Sequence, residues 1–181
     1  GGGGESDPLK QLPPDVIGKL ETLHVHATDD DPKFASAPIM AGLRAIWTGS
    51  KLESTTSPGE RAALVMDRTC FYGEQGGQVG DRGEIRVVSG SSSGRDHQGI
   101  FEVEDTVRVG SHVLHVGHVA SGRLAVGDDC EMAIDHHRRN QVMAHHTATH
   151  LLNLALRAAA GSECDQRGSL VAPDRLRFDY A

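Results

Sequence analysis

Gly99-Ile100-Phe101-Glu102-Val103-Glu104-Asp105-Thr106-Val107-Arg108-Val109, then Gly110-Ser111, then His112-Val113-Leu114-His115-Val116-Gly117-His118-Val119: this stretch decides how the middle of the chain folds. Two runs carrying many Val, Ile, Phe and Thr residues, parted by a short glycine-containing turn, read as strands. Segments 84–88 and 129–134 read the same way, and Ala62-Ala63-Leu64-Val65-Met66 is an apolar run that suits a buried strand. Short strands joined by Gly-Ser or Gly-Asp turns predict an antiparallel barrel or sandwich, with 89–96 its most exposed loop. A content of 22 glycines with 4% aromatic residues agrees with a β-rich body.

Outward from this block the pattern changes on both sides. Upstream, 54–59 is rich in turn residues, so a domain is expected to begin near residue 60 and run to 134. Residues 9–59 show only an amphipathic segment at 15–23, a turn at Asp29-Asp30-Asp31-Pro32 and a short helix or strand at 39–47. They read as a connector. Residues 1–8, opening on Gly1-Gly2-Gly3-Gly4, lack the apolar surface to offset ordering entropy and are left out of the predicted fold.

Downstream, Asp135 is placed to cap a helix over 136–159, with Gly161 as its stop. Met143, Thr147, Leu151, Leu154 and Ala158 recur at helical spacing and predict a face turned to a core that the barrel does not provide. A second domain over 135–181 is therefore expected to continue past Ala181, where Arg177-Phe178-Asp179-Tyr180-Ala181 reads as an interrupted strand. The fold class expected is α+β, an antiparallel β-barrel followed by the start of a second, α+β domain.

Bulk properties exclude some functions. At 181 residues the chain can bury a real core. The net charge of −7 argues against a basic surface along the whole chain, although residues 131–181 hold six acidic residues against six arginines, so the acidic excess lies upstream. No apolar run has the length of a membrane span, and no secretory signal pattern stands at the start. Cys70, Cys130 and Cys164 are odd in number and widely spaced, which favours a reducing, cytoplasmic compartment over a disulfide framework.

Three segments carry candidate chemistry. His146-Thr147-Ala148-Thr149-His150 places two imidazoles four residues apart on a helix, about 6 Å along its axis and on one face, where a single cation can take both. Neutral imidazoles at that spacing suit tetrahedral zinc and leave two positions for other groups. A polar surface pair is the alternative from spacing alone. A metalloprotease is rejected, because Thr147 stands where that chemistry needs a glutamate base. The second segment is Asp67-Arg68-Thr69-Cys70-Phe71-Tyr72-Gly73-Glu74-Gln75-Gly76-Gly77-Gln78, then Asp81-Arg82-Gly83. Paired glycines allow close backbone approach to a ligand and Gln78 adds a donor and an acceptor; a plain inter-strand turn with Phe71 and Tyr72 packed inside is the other reading. The third, Gln166-Arg167-Gly168-Ser169-Leu170-Val171 followed by Pro173-Asp174-Arg175-Leu176-Arg177-Phe178-Asp179, reads either as a turn and amphipathic strand or as a source of polar groups, Gln166 and Ser169, beside the helix.

In this order the three segments resemble the editing region of alanyl-tRNA synthetases and the related free-standing editing proteins. The similarity is dense from Leu64 to Ala181, and Thr28-Asp29-Asp30-Asp31-Pro32-Lys33-Phe34 is similar to the eukaryotic cytoplasmic type, which favours the synthetase over a free-standing editor. The resemblance implies a β-barrel followed by an α+β editing domain shared with threonyl-tRNA synthetase, and hydrolysis of tRNA-Ala mischarged with serine or glycine. It implies zinc held by His146 and His150, with two further ligands from a later Cys-x-x-x-His segment past Ala181, so that Cys164 is not one of them. It also implies that Thr149 and Gln166 line the pocket selecting the wrong amino acid, and that Gly76, Gly77 and Gln78 lie near the tRNA end. ATP and magnesium would serve only a catalytic core outside these residues. A noncatalytic zinc-dependent tRNA-binding module is the rival expectation.

Overall fold

A computed structural model describes residues 6–75, 78–90, 98–160, 166–172 and 175–180, the side chains of residue 160 and of the last two segments excepted. Six antiparallel strands close into a barrel: β1 (Ile39–Trp47), β3 (Arg61–Met66), β6 (His112–Ser121), β5 (Ile100–Val109), β4 (Gly83–Ser89) and β7 (Asp129–Ile134), with β7 pairing back to β1. The short β2 (Leu52–Glu53) extends the sheet beyond β1. Register shifts at Leu43/Ala45, Val87/Ser89 and Val103/Asp105 supply the local bends that closure needs. All six strands send residues into one apolar cluster, among them Leu43, Leu64, Ile85, Phe101, Val119 and Met132, which identifies it as the barrel interior.

The outer face of β1, β3 and β6 is buried too. Ala45, Trp47, Ala63, Val65, Leu114 and Val116 form a second cluster with Leu9, Leu12, Val16, Leu20 and Val25. The chain preceding the barrel therefore forms a layer over it, built from a 3-10 turn (Pro8–Lys10) and α1 (Pro14–Thr22). This corrects the reading of 9–59 as a connector: it contributes that layer and two strands, β1 and β2. It also explains why 62–66 is apolar at every position, since β3 is covered on both faces. The exclusion of 1–8 needs correction as well. The buried indole Nε1–H of Trp47 donates to the Pro8 carbonyl at 3.0 Å, and Asp7 Oδ1 accepts from Leu9 N–H at 3.0 Å, so residues 7 and 8 take part in the fold.

After β7 the chain enters α2 (His136–Ala160), and the Asp135 side chain accepts from Arg138 N–H at 3.0 Å, the expected cap. Beyond it β8 (Gln166–Ala172) and β9 (Arg175–Tyr180) pair antiparallel, and both pack on α2. The buried face of α2 is not the one expected. Met143, Leu151 and Leu154 are 53%, 62% and 64% exposed, whereas Val142 and Thr149 are buried and His146, Asn153 and Leu156 half-buried. Helix positions 142, 146, 149, 153 and 156 form one stripe, and the apolar stripe lies beside it. The expected stop at Gly161, Cys164 and most of the 89–96 loop lie outside the described residues.

Candidate functional site

On α2 the His146 and His150 rings stand edge to face with centroids 4.5 Å apart, and their Nε2 atoms face each other at 2.9 Å. With both rings neutral, one Nε2–H donates to the other. Two nitrogens at 2.0–2.1 Å from a tetrahedral zinc ion would lie about 3.3 Å apart, so a few tenths of an ångström of ring movement turns this hydrogen bond into half a metal site. No group of three or more His, Cys, Asp or Glu side chains converges among the described residues, so the pair fits zinc as two ligands and no more. His146 Nδ1 is buried without a hydrogen-bond partner there.

One turn of helix separates His146 from Thr149, whose Oγ–H donates to the His145 carbonyl at 2.9 Å. That leaves the Oγ lone pairs free of its own proton, in a buried position. Gln166 opens β8, opposite Tyr180, on the strand that packs against α2. Thr149, His146 and His150 thus share one helix, and Gln166 lies on an element packed against it.

The loop between β3 and β4 sits at the other end of α2. Most of its motif folds the chain. Asp67 accepts from Gly42 N–H at 2.8 Å and faces Arg44 at 3.3 Å. Thr69 Oγ accepts from Phe71 N–H at 2.9 Å and pairs with the His115 ring at 2.7 Å. Phe71 is fully buried, while Tyr72 is half-buried and its hydroxyl donates to the Gln75 carbonyl at 3.3 Å. Gln78 N–H donates to Gln75 O at 3.1 Å, and Glu74 N–H to Thr106 O at 2.8 Å, which lays the loop along β5. Gly80 makes that approach possible, since a Cβ there would collide with the Thr106 carbonyl. Gly76 and Gly77 lie outside the described residues.

Arg139, which the motif reading passed over, joins this loop to the helix. Its guanidinium reaches the Asp81 carboxylate, with Nε 3.1 and 3.2 Å from the two oxygens, and Arg138 Nη1 donates to Gly80 O at 2.6 Å. A signal was present: two arginines with no acidic residue in the first turn oppose the helix dipole and call for outside partners. A cleft of about 480 Å³ on the barrel, lined by His24, His26, Arg44 and Asp67 among others, includes none of the predicted site residues.

A barrel joined to a helix bearing a histidine pair is an architecture whose affiliation sequence comparison decides. The family model described as tRNA synthetases class II (A) matches residues 16–138, more than half of the chain, and the chain belongs to this family. Within it the chain sides with the alanine enzymes. It is 35% identical to the mitochondrial alanine–tRNA ligase of Saccharomyces cerevisiae over 182 aligned residues, covering 100% of this chain and 18% of that protein. It is 39% identical to the cytoplasmic alanine–tRNA ligase of Bombyx mori, covering 91% and 18%, and 48% identical to the alanine–tRNA ligase of Halorhodospira halophila, covering 68% and 13%. The chain spans less than a fifth of the length of these relatives. Among the described residues no helix is long and apolar enough to cross a membrane.

Proposed function

We propose that this chain is the front part of an editing site that hydrolyses tRNA-Ala mischarged with serine or glycine, within a protein that joins alanine to tRNA-Ala using ATP and magnesium in a core outside these residues. The observation that carries the reading is the convergence of His146 and His150 Nε2 at 2.9 Å, one helical turn from the buried Thr149 hydroxyl. Bound by these two imidazoles and two ligands from outside this chain, zinc would supply a fixed positive charge for the aminoacyl end or a water. His146 and His150 hold their ring nitrogens toward one point, and Thr149 sets its Oγ as an acceptor on the same helix.

Selectivity for serine over alanine follows from that acceptor. With its own proton given to His145 O, Thr149 Oγ can accept the hydroxyl of a seryl group. Alanine offers no such donor, and leaving the buried acceptor unpaired disfavours it by about 1–3 kcal/mol. A second hydrolytic site is needed because an activation pocket cannot reject small amino acids strongly enough by itself. Gln166, on the strand that packs against α2, is assigned to amino-acid selection, and residues 76–78 to the tRNA end. The cytoplasm is the proposed compartment, in keeping with Cys70 and Cys130 as free, buried thiols. In the full-length protein, Thr149→Val and Gln166→Ala should abolish hydrolysis of seryl-tRNA-Ala while tRNA affinity is retained. Hydrolysis at the unsubstituted rate in both variants would refute the pocket and favour a noncatalytic tRNA-binding module.

A further inference from the structure

Arg139 is occupied in more directions than helix anchoring requires. Its Nη2 donates to the Cys70 carbonyl at 2.9 Å on the outgoing limb of the 67–82 loop, and also to the Asp81 carboxylate on the returning limb. Its Nη1 donates to the Lys33 carbonyl at 2.6 Å, from the segment that runs before the barrel. The two side chains are 12% and 7% exposed. Asp81 in turn closes the base of the loop: its carboxylate accepts from Tyr72 N–H at 2.7 Å, and its own N–H donates to Tyr72 O at 3.0 Å. The loop that carries Gln78 is therefore closed at its base by the same carboxylate that holds the first turn of α2. From Arg139, His146 lies seven residues on, about 10.5 Å along a helix that transmits position rigidly.

We propose that Arg139 is a positioning residue for the aminoacyl-tRNA deacylase site: through Asp81 it fixes the Gln78 loop against the helix that presents His146, Thr149 and His150. The inference rests on the deacylase reading above. The barrel interior and the Asp135 cap do not depend on the pair, and Arg138 Nη1 to Gly80 O and Asp135 N–H to Arg82 O remain, so its loss loosens the loop against the helix while each stays folded. Lysine cannot replace Arg139, because its three donors sit on one nitrogen, whereas the contacts to Asp81, Lys33 O and Cys70 O use all three nitrogens of the planar guanidinium.

The test uses the full-length protein with Arg139→Met, Arg139→Lys and Asp81→Asn. For Arg139→Met, kcat for seryl-tRNA-Ala hydrolysis should fall about 100-fold, the size of effect that a displacement of about 1 Å produces, with KM nearly unchanged. Arg139→Lys should recover little of this, and alanylation should stay at the unsubstituted rate in all three. Amide hydrogen exchange should quicken in residues 72–75 and 78–83 and stay slow in 62–66 and 112–119. Asp81→Asn keeps an acceptor for Tyr72 N–H and gives the same pattern more mildly, which serves if the methionine variant does not fold. An unchanged kcat, a rise in KM alone, or faster exchange throughout the barrel would each overturn the proposal. If the unsubstituted protein hydrolyses no mischarged tRNA, the deacylase reading fails, and the positioning proposal fails with it; the exchange pattern then reports only whether the loop-to-helix clamp exists.

Discussion

Acid should weaken the barrel through His115, and the size of the effect follows from how the ring is held. The ring is fully buried on β6, its Nδ1 2.8 Å from the Leu64 carbonyl and its Nε2 2.7 Å from Thr69 Oγ. A carbonyl only accepts, so Nδ1 carries the proton and donates, and Nε2 accepts the Thr69 hydroxyl. Protonating Nε2 would place a charge in a fully buried site and force the Thr69 hydroxyl to turn from donor to acceptor. Burial accordingly lowers the pKa from 6.5 to about 4. Because the folded value lies below the unfolded one, this contribution to stability is fully present above pH 6.5, declines as pH falls through 6.5, and is exhausted near 4. Linkage over that shift gives a loss of roughly 1 kcal/mol by pH 5.5 and roughly 2–3 kcal/mol by pH 4.5. Urea denaturation of the chain and of His115→Asn at pH 7.5, 6.5, 5.5 and 4.5 isolates the term, since carboxylate titration is common to both. The variant keeps a donor for Leu64 O and is destabilised at pH 7.5, and its disadvantage should shrink by roughly 2–3 kcal/mol at pH 4.5. A stability difference that stays constant across the range would refute the assignment of a buried neutral ring.

Other perturbations test other joints of the structure. Asp135→Ala removes the cap of α2 and should lower stability by about 1 kcal/mol, read as a drop in melting temperature. Removing residues 1–8 takes away the acceptor for the Trp47 indole and should cost about 1–3 kcal/mol, read as a lower urea midpoint. Gly80→Ala drives a methyl group into the Thr106 carbonyl and should speed amide exchange of Glu74, whose N–H bonds that carbonyl. The 181-residue chain should hold far less than one equivalent of zinc after gel filtration, because two imidazoles leave half of a tetrahedral site open; one tightly held equivalent, lost in His146→Ala, would show that other residues complete it.

The strands were legible wherever alternation or unbroken apolarity reached five or more residues: 62–66, 84–88, 112–119 and 129–134 fall within strands that the structure contains, and 99–109 matches β5 apart from Gly99. The failure upstream has a physical cause. Residues 9–25 bury only scattered positions, Leu9, Leu12, Val16, Leu20 and Val25, against the outside of a barrel already closed, and such sparse anchoring leaves no dense pattern to read. The face of α2 was misjudged because apolar spacing pointed to Met143, Leu151 and Leu154, whereas the stripe that packs is mixed, with Thr149, His146 and Asn153 among its members. Hydrophobic periodicity ranks faces by apolar content, and a face built around polar groups is outranked even where it is the one covered. Buried polar side chains are the informative exception, and Thr149 at 2% exposure is one.

That exception also bears on how the long motif at 67–83 divides between folding and function. Asp67 is taken up by Gly42 N–H and Arg44, Thr69 by Phe71 N–H and His115, Phe71 by the barrel interior, and Asp81 by Tyr72 N–H and Arg139. Thr69, Phe71 and Asp81 are buried and committed to these partners, so none of the three binds a ligand without first breaking a contact that shapes the loop, whereas Asp67 keeps an exposed side toward the cleft it lines with Arg44. What the fold leaves over is the tip, where Gln75 and Gln78 meet through a single backbone hydrogen bond and Gln78 keeps its side-chain amide unspent among the described contacts. The motif is long because holding this loop along β5, with its base on the first turn of α2, takes a carboxylate, a hydroxyl and an aromatic ring, each with a fixed partner. A ligand contact from this segment should therefore depend on residues 75–78 directly, and on Thr69, Phe71 and Asp81 only through the shape they impose.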